Sequence, residues 1–267
     1  MKMTRIGNQT SKTVSPLTLP FEYAMERGFD AFEWFPDKDA SGAGWEEADL
    51  DPSTRDWIRS CGIERDIRFS VHVRSGSDPL RPDFVTAFQA GLKLCDDIGA
   101  SPFIIHFPQE QDLREYLTAI EPLILQTEAK KRRLAIENVP FTSPEDINMF
   151  FAFLEHAKIS ARHVGLCLDL GHANLHDATR NNYVRYLHEI HPSVPVIHVH
   201  VHENYGDQDS HLPVFTGPAA DDQTGVRIFA KWLKNRGFQG SIILEQWPDP
   251  PDLLDRGRDR LKEMFDT

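Results

Sequence analysis

Apolar side chains along this chain fall into two alternating patterns. Short runs rich in Ile, Val, Phe or Leu, bounded by Gly, Pro, Asp or Asn, occur at Ile6 to Thr10, Ala31 to Phe35, Phe69 to Val73, Phe103 to Phe107, Leu134 to Val139, Val164 to Leu168, Val196 to His202 and Ile242 to Glu245. Runs of this length and content read as strands. The intervals between them carry apolar residues at helical spacing: Phe84, Phe88, Leu92 and Cys95 in the third, Leu113, Leu117, Ile120 and Leu123 in the fourth, Ile147, Phe150, Phe151 and Leu154 in the fifth, and Val226, Phe229, Trp232 and Leu233 later. Ser143 followed by Pro144 and Glu145 supplies a helix start. Strands alternating with helices in this number predict an α/β fold, a (β/α)8 TIM barrel. An open doubly wound sheet is the rival, weakened because no G-x-G-x-x-G follows the first strand.

The 267 residues suit a single domain spanning 1–267, with no linker, repeat or low-complexity tract to divide it. The balance of 29 Lys+Arg against 41 Asp+Glu, −12 with His neutral, argues against nucleic acid or an anionic membrane as the partner, since phosphate binding rests on clustered Lys and Arg. Cys61, Cys95 and Cys167 are odd in number with no C-x-x-C spacing, and no apolar leader opens the chain. The expectation is a reduced, cytoplasmic protein. No run approaches the roughly 18 consecutive apolar residues of a membrane span. Only the 12 histidines stand out, and their positions matter more than their number.

In a (β/α)8 barrel the carboxyl ends of the strands face the active site. The third run ends FSVHVR, with His72 and Arg74 on one face. The fourth ends FIIHFP with His106, the fifth LAIENVP with Glu137, the sixth GLCLDLGH with Asp169 and His172, the seventh VIHVHVHEN with His198, His200 and His202, and the eighth IILEQW with Glu245. Any one of these histidines alone reads as a hydrogen-bonded structural residue. Carboxylates inside apolar runs are harder to dismiss, because an unpaired buried charge is costly. Glu137, Asp169 and Glu245 converging on one mouth would repel one another unless a cation lay between them. On the seventh strand the imidazoles alternate with Ile197, Val199 and Val201, so they are expected to share the inward face. His200 is the favoured ligand, and the roles of His198 and His202 stay open. Asp209-Ser210-His211 adds a carboxylate and an imidazole on a loop that can fold over the mouth.

With IEN on the fifth strand, DLGH on the sixth, HVHEN on the seventh, the DSH loop and LEQ on the eighth, nearly the whole chain resembles the xylose isomerase-like barrel superfamily. That superfamily contains sugar isomerases and epimerases and the endonuclease IV type of AP endonuclease (family 2). Its isomerase branch implies one divalent ion, Mn, Mg or Co, on Glu137, Asp169, His200 and Glu245, with Glu137 and Glu245 as acid and base. Its endonuclease IV branch implies up to three zinc ions. The first would take His72, His106 and Glu137; Glu137 would bridge to a second on Asp169, His200 and Glu245; the third would take His172, Asp209 and His211. Every one of these positions holds the required residue type. A one-metal isomerase has no need of His72, His106 and the Asp209/His211 pair together. The expected function is therefore metal-dependent phosphoester hydrolysis, with Glu137 bridging and Glu245 helping to position the attacking oxygen. An isomerase or epimerase is the second reading, and a metal-binding barrel without catalysis the third.

The resemblance to the DNA-repair members fails where they meet DNA. They carry an aromatic and a leucine wedge soon after the third-strand histidine, whereas His72 is followed here by Val73, Arg74, Ser75, Gly76 and Ser77. Together with the net charge, this favours a small phosphodiester or phosphorylated metabolite over duplex DNA. Arg74 is the candidate for binding its anion, or else pairs with a loop carboxylate. Lys130, Lys131, Arg132 and Arg133 read as a solvated helix end on the far face. Trp34 and Trp45 read as packing aromatics beside a loop that could act as a lid, and Cys167 as a small core residue one layer below Asp169. Nothing in the sequence speaks to oligomeric state.

Overall fold

The computed structural model describes residues 4–39, 41–74, 76–108, 112–157, 159 and 163–266. Strands β1 (Arg5–Gln9), β2 (Ala31–Trp34), β3 (Arg68–His72), β4 (Phe103–His106), β5 (Leu134–Glu137), β6 (Val164–Asp169), β7 (Val196–Val201) and β8 (Ser241–Leu244) alternate with helices. These are α1 (Leu19–Arg27), α2 (Pro52–Arg65), α3 (Phe84–Ile98), α4 (Leu113–Ala129), α5 (Pro144–His156), α6 (Leu170–Leu175), α7 (Tyr183–Glu189), α8 (Thr224–Asn235) and α9 (Asp252–Asp266). Every strand pairs in parallel with its sequence neighbours, and β1 also pairs with β8, Arg5 opposite Ser241 and Asn8 opposite Leu244, so the sheet closes on itself. This is the (β/α)8 barrel that the alternation predicts. The connection from β6 to β7 departs from one helix per interval: α6, a short 3-10 turn (Asp177–Thr179) and α7 share it.

The strands are buried on both faces, which is why they read as continuous apolar runs rather than alternating ones. Local signals set the helix ends. Ser143 Oγ accepts from Asp146 N at 3.0 Å, the Asp146 carboxylate accepts from Ser143 N at 3.1 Å, and Pro144 opens α5. Gly99, at φ 78°, ends α3 in the left-handed conformation. Between sheet and helices lies an aromatic-rich core. Phe21 of α1 packs on Phe32, Trp34 and Phe69, with ring centroids 5.3 to 5.4 Å away, and Phe107 and Tyr116 meet Phe150. Trp34 and Trp45 are both buried and meet edge to face at 6.1 Å, so they are packing aromatics. Lys130 and Arg132 pair with Asp96, away from the strands' carboxyl ends.

Inside the barrel a separate cluster of Ile104, Ala135, Cys167 and Ile197 fills the lower part. Strict alternation along β7 predicts that Ile197 faces the helices. The pairing instead steps from Leu166–Val196 to Cys167–His198, making Ile197 the extra residue of a β-bulge. Gly165 gives it room, since a Cβ there would lie 2.3 Å from Ile197 Cγ2. Among the described residues, no helix is long and apolar enough to cross a membrane.

Candidate metal centre

Most ligand candidates sit where a strand stops. His72 and His106 end β3 and β4, Glu137 ends β5 and Asp169 ends β6. His200 lies near the end of β7, and Glu245 follows β8, its N–H donating to Val201 O at 3.2 Å to extend the ladder. Asp169 also caps α6: its Oδ1 accepts from His172 N at 2.6 Å, which turns the chain back and brings His172 to the mouth. Asn138 straps this corner, accepting from Asp169 N at 2.8 Å and donating to Asp169 O at 2.9 Å.

Donor atoms gather into overlapping groups within 4.8 Å: His72, His106 and Glu137; Glu137, Asp169, His200 and Glu245; Asp169, His172 and His202; and His202, Asp209 and His211. Glu137 joins the first two. Its Oε2 lies 2.7 Å from His72 Nε2 and 3.6 Å from His106 Nε2, and its Oε1 lies 3.2 Å from His200 Nδ1. His200 Nδ1 is also 3.6 Å from Glu245 Oε2 and 3.9 Å from Asp169 Oδ2. At the third corner Asp209 Oδ2 is 3.3 Å from His172 Nε2 and 3.2 Å from His211 Nε2. The residues singled out as ligands thus converge. Arg74 does not join them: its guanidinium pairs with Glu47 at 2.8 Å and approaches Glu46 at 3.7 Å, at the rim. Ser75 beside it lies outside the described residues.

The donor chemistry fits divalent ions. His72, His172 and His211 each have Nδ1 at 2.6 to 2.8 Å from a backbone carbonyl, of Val73, Asn138 and Glu245. With Nδ1–H donated to a carbonyl, Nε2 presents its lone pair inward, the usual support of a metal-ligating imidazole. Asp169 Oδ2 and Glu245 Oε2 are buried with no hydrogen-bond partner, and such oxygens are costly unless a cation meets them. Ligands around a zinc ion stand about 2.0–2.2 Å from it, hence about 3 to 4 Å from one another, the spacing of these pairs except His72 and Glu137, which are at hydrogen-bond distance.

Electrostatics point the same way. Burial would raise the Glu137 carboxyl, but His200 and His72 hold it well below the usual range. Burial likewise opposes charge on His172 and His200, yet the carboxylates beside them raise both well above the ordinary imidazole value. His211, paired with Asp209, is raised to about 10. His106 is pushed down to about 4 by burial and is neutral at pH 7. Burial raises Glu245 to about 7. The carboxylates draw positive charge onto the imidazoles, and a divalent ion among these donors would compete with those protons.

Sequence reasoning missed Glu33. Fully buried at β2, its Oε2 accepts from Ser70 Oγ and from His198 Nε2, both at 2.8 Å. Its Oε1 lies 2.9 Å from His200 Nε2, close enough for an ion pair though not aligned as a hydrogen bond. A carboxylate behind a candidate ligand's second nitrogen orients that ring. The signal was available, for Glu33 is a lone acid in the apolar run Ala31 to Phe35. A cavity of about 420 Å³ adjoins the centre, lined by Asn174, Asn204, Tyr183 and Val214 among others, and it shares only His202 with the donor groups.

Comparison with known proteins places this arrangement in context. An uncharacterized protein of Methanocaldococcus jannaschii is 29% identical over 121 residues, 42% of this chain and 36% of that protein, so the match spans about a third of its length. Among solved structures, a D-tagatose 3-epimerase-like protein superposes with TM-score 0.73 at 19% identity over 98% of this chain and 97% of its own. Endonuclease IV from Thermus thermophilus superposes with TM-score 0.72 at 17% identity over 98% of this chain and 99% of its own. At these identities the structures share the fold. The profile of the xylose isomerase-like TIM barrel family matches residues 21–264, and the chain belongs to that family.

Proposed function

We propose that this barrel is a metal-dependent phosphoester hydrolase with a multinuclear centre, acting on a small phosphodiester or phosphorylated metabolite. One observation carries the reading: beyond the group on Glu137, Asp169, His200 and Glu245, further donors stand ready at His72 and His106 and at His172, Asp209 and His211. A one-ion isomerase has no use for them. In this reading His72, His106 and Glu137 hold one ion, Glu137, Asp169, His200 and Glu245 a second, and His172, Asp209 and His211 a third. The imidazole-rich donor set favours zinc over Mg or Ca. Bound ions would acidify a water and offset negative charge on the phosphoryl and leaving oxygens.

The chain's own groups do the rest. Glu245 faces the same space as Glu137 and would help to position the attacking water. The water oxygen forms the new bond to phosphorus, the ester P–O bond breaks with its electron pair going to the leaving oxygen, and that oxygen takes up the proton. Arg74 pairs with Glu47 and approaches Glu46 at the rim, so it would meet a second anionic part of the substrate only by exchanging those partners. The adjoining cavity of about 420 Å³ suits a small molecule, since ligand pockets run to roughly 300–1,000 Å³.

The second reading, a sugar or sugar-phosphate isomerase or epimerase, rests on the completeness of the group Glu137, Asp169, His200 and Glu245. It needs one Mn, Mg or Co ion and uses Glu137 and Glu245 as acid and base. Metal analysis of protein purified without chelator separates the two, with about three equivalents expected for the first and about one for the second. Cleavage of bis(p-nitrophenyl) phosphate is expected, with no turnover of a ketose panel. One equivalent together with ketose turnover would overturn the hydrolase reading.

A further inference from the structure

Large exposed apolar side chains are sorted by place in this barrel. Leu19, Trp57, Ile63, Val85, Leu125 and Met149 lie on the helices, where scattered exposure is ordinary. Among the described residues only Phe141 and Tyr205, 63% and 58% exposed, lie on loops that follow strands. Both loops are on the face that carries the metal donors. Phe141 stands outside the hydrophobic core, in the string ENVPF that begins at Glu137.

The ring is exposed, but the backbone beneath it is fixed. Thr142 is 2% exposed and closes the turn. Its N–H donates to Val139 O at 2.9 Å, its Oγ1 accepts from Val139 N at 3.0 Å, and its carbonyl accepts from the Tyr186 hydroxyl at 2.7 Å. Ser143, next to it, caps α5. Phe141 is thus held out on a firm turn, which leaves little ordering for a ligand to impose.

Phe141 also forms part of a cavity of about 340 Å³, which Leu175, His176, Arg180, Gln208 and Asp209 help to line. The loops after β5, β6 and β7 each supply a share of it. Asp209 is its link to the metal centre, standing 3.3 Å from His172 Nε2 and 3.2 Å from His211 Nε2. The larger cavity reaches the donor groups only at His202, whereas this one is walled by a candidate ligand. Across the mouth, four strands away in the closed barrel, the loops after β2 and β3 carry Glu46, Glu47 and Arg74, paired together. One side of the rim is charged, and the other presents an unpacked phenyl ring.

We propose that this cavity binds a planar aromatic ring of the substrate, a nucleobase or another aryl group, with its face on Phe141 and the attached phosphate directed to the metal centre at Asp209. The phosphate half rests on the hydrolase reading above; the ring half rests on Phe141 and the cavity themselves. A flat ring covers an exposed phenyl face, and ring-on-ring packing adds to what the burial of area contributes. Gln208 and the Arg180–Asp177 pair supply donors and acceptors to the edge of the bound ring.

Titration calorimetry of the full chain, purified without chelator, tests this with two matched pairs of probes: phenylphosphonate against methylphosphonate, and adenosine 5′-monophosphate against ribose 5-phosphate. In wild type the ring-bearing member of at least one pair should bind about tenfold more tightly than its partner. A preference in the first pair alone assigns a simple aryl group, and one in the second a nucleobase. Phe141→Ala should erase the preference, bringing the ring-bearing probe down to the affinity of its partner. Phe141→Trp should keep it, with the added indole fluorescence quenched by the ring-bearing probe and not by its partner. Equal binding within both pairs in wild type, or a preference that survives Phe141→Ala, overturns the ring site even if bis(p-nitrophenyl) phosphate is cleaved. Failure to cleave that ester, with the preference and its loss in Phe141→Ala intact, overturns the hydrolase reading and leaves the ring site standing.

Discussion

Two levels of the barrel interior carry the same residue types and treat them in opposite ways. At the lower level, both oxygens of Glu33 have a donor within 2.9 Å: Ser70 and His198 on one, His200 on the other. At the mouth, Asp169 Oδ2 and Glu245 Oε2 are as deeply buried, yet the nearest imidazole nitrogens stand 3.6 Å away. At the lower level Glu33 is met by imidazole nitrogens at 2.8 to 2.9 Å, whereas these two mouth oxygens have no hydrogen-bond partner and the imidazoles nearest them stand at the separation of ligands sharing an ion. The difference teaches that a histidine or glutamate at a strand end does not by itself mark a ligand. What marks it is whether its neighbours satisfy it at hydrogen-bond distance or stand off at ligand distance.

The strongest way to break this comparison is at Glu137, the carboxylate that links the His72 and His106 group to the group with Asp169, His200 and Glu245. Glu137→Gln should reduce the bound metal from about three equivalents to about one and abolish phosphoester cleavage, because a bridging carboxylate has no neutral substitute. Elemental analysis checks it, and retention of the full complement would mean that Glu137 is only a buried partner of His72 and His200. A smaller effect is expected at the lower level. Glu33→Gln keeps the shape and removes the charge behind His200, and partners of metal-ligating histidines are typically worth about 10–100-fold in affinity. Competition with a chromophoric chelator measures it, and wild-type affinity in the variant would reduce Glu33 to packing.

The gentlest probe is pH. Despite the burial that opposes its charge, His211 is raised to about 10 by Asp209 and Glu245, so it stays protonated across pH 6 to 8 and must lose that proton to bind. Metal affinity should therefore climb about tenfold per pH unit between 7 and 8. Below about 7 the protonation of Glu245, whose carboxyl burial raises to that value, should steepen the dependence. Chelator competition at several pH values reads the slope, and a flat profile would detach His211 from the centre.

The alternation of apolar runs and amphipathic segments determined the barrel, because each strand and helix announces itself through its own residues, and closure follows once the strands are counted. Strand-end position was likewise local information, so His72, His106, Glu137, Asp169, His200 and Glu245 could be named as candidates from the sequence, while His172, Asp209 and His211 joined them through the family resemblance, and the structure brings the candidates close together. What the tertiary structure decided lies across strands. A one-residue bulge against β6 turned Ile197 inward, against the alternation that its own strand suggests. Arg74, which in sequence could bind an anion or pair with a loop carboxylate, pairs with Glu47 from 27 residues earlier. Glu33 found His198 from 165 residues away, and the absence of a side chain at Gly171 opened the slot for His202. Periodicity says which face a side chain shows, since it depends on the backbone of one segment; which groups then stand within reach depends on the closure and register of strands distant in the chain, and no single segment encodes that.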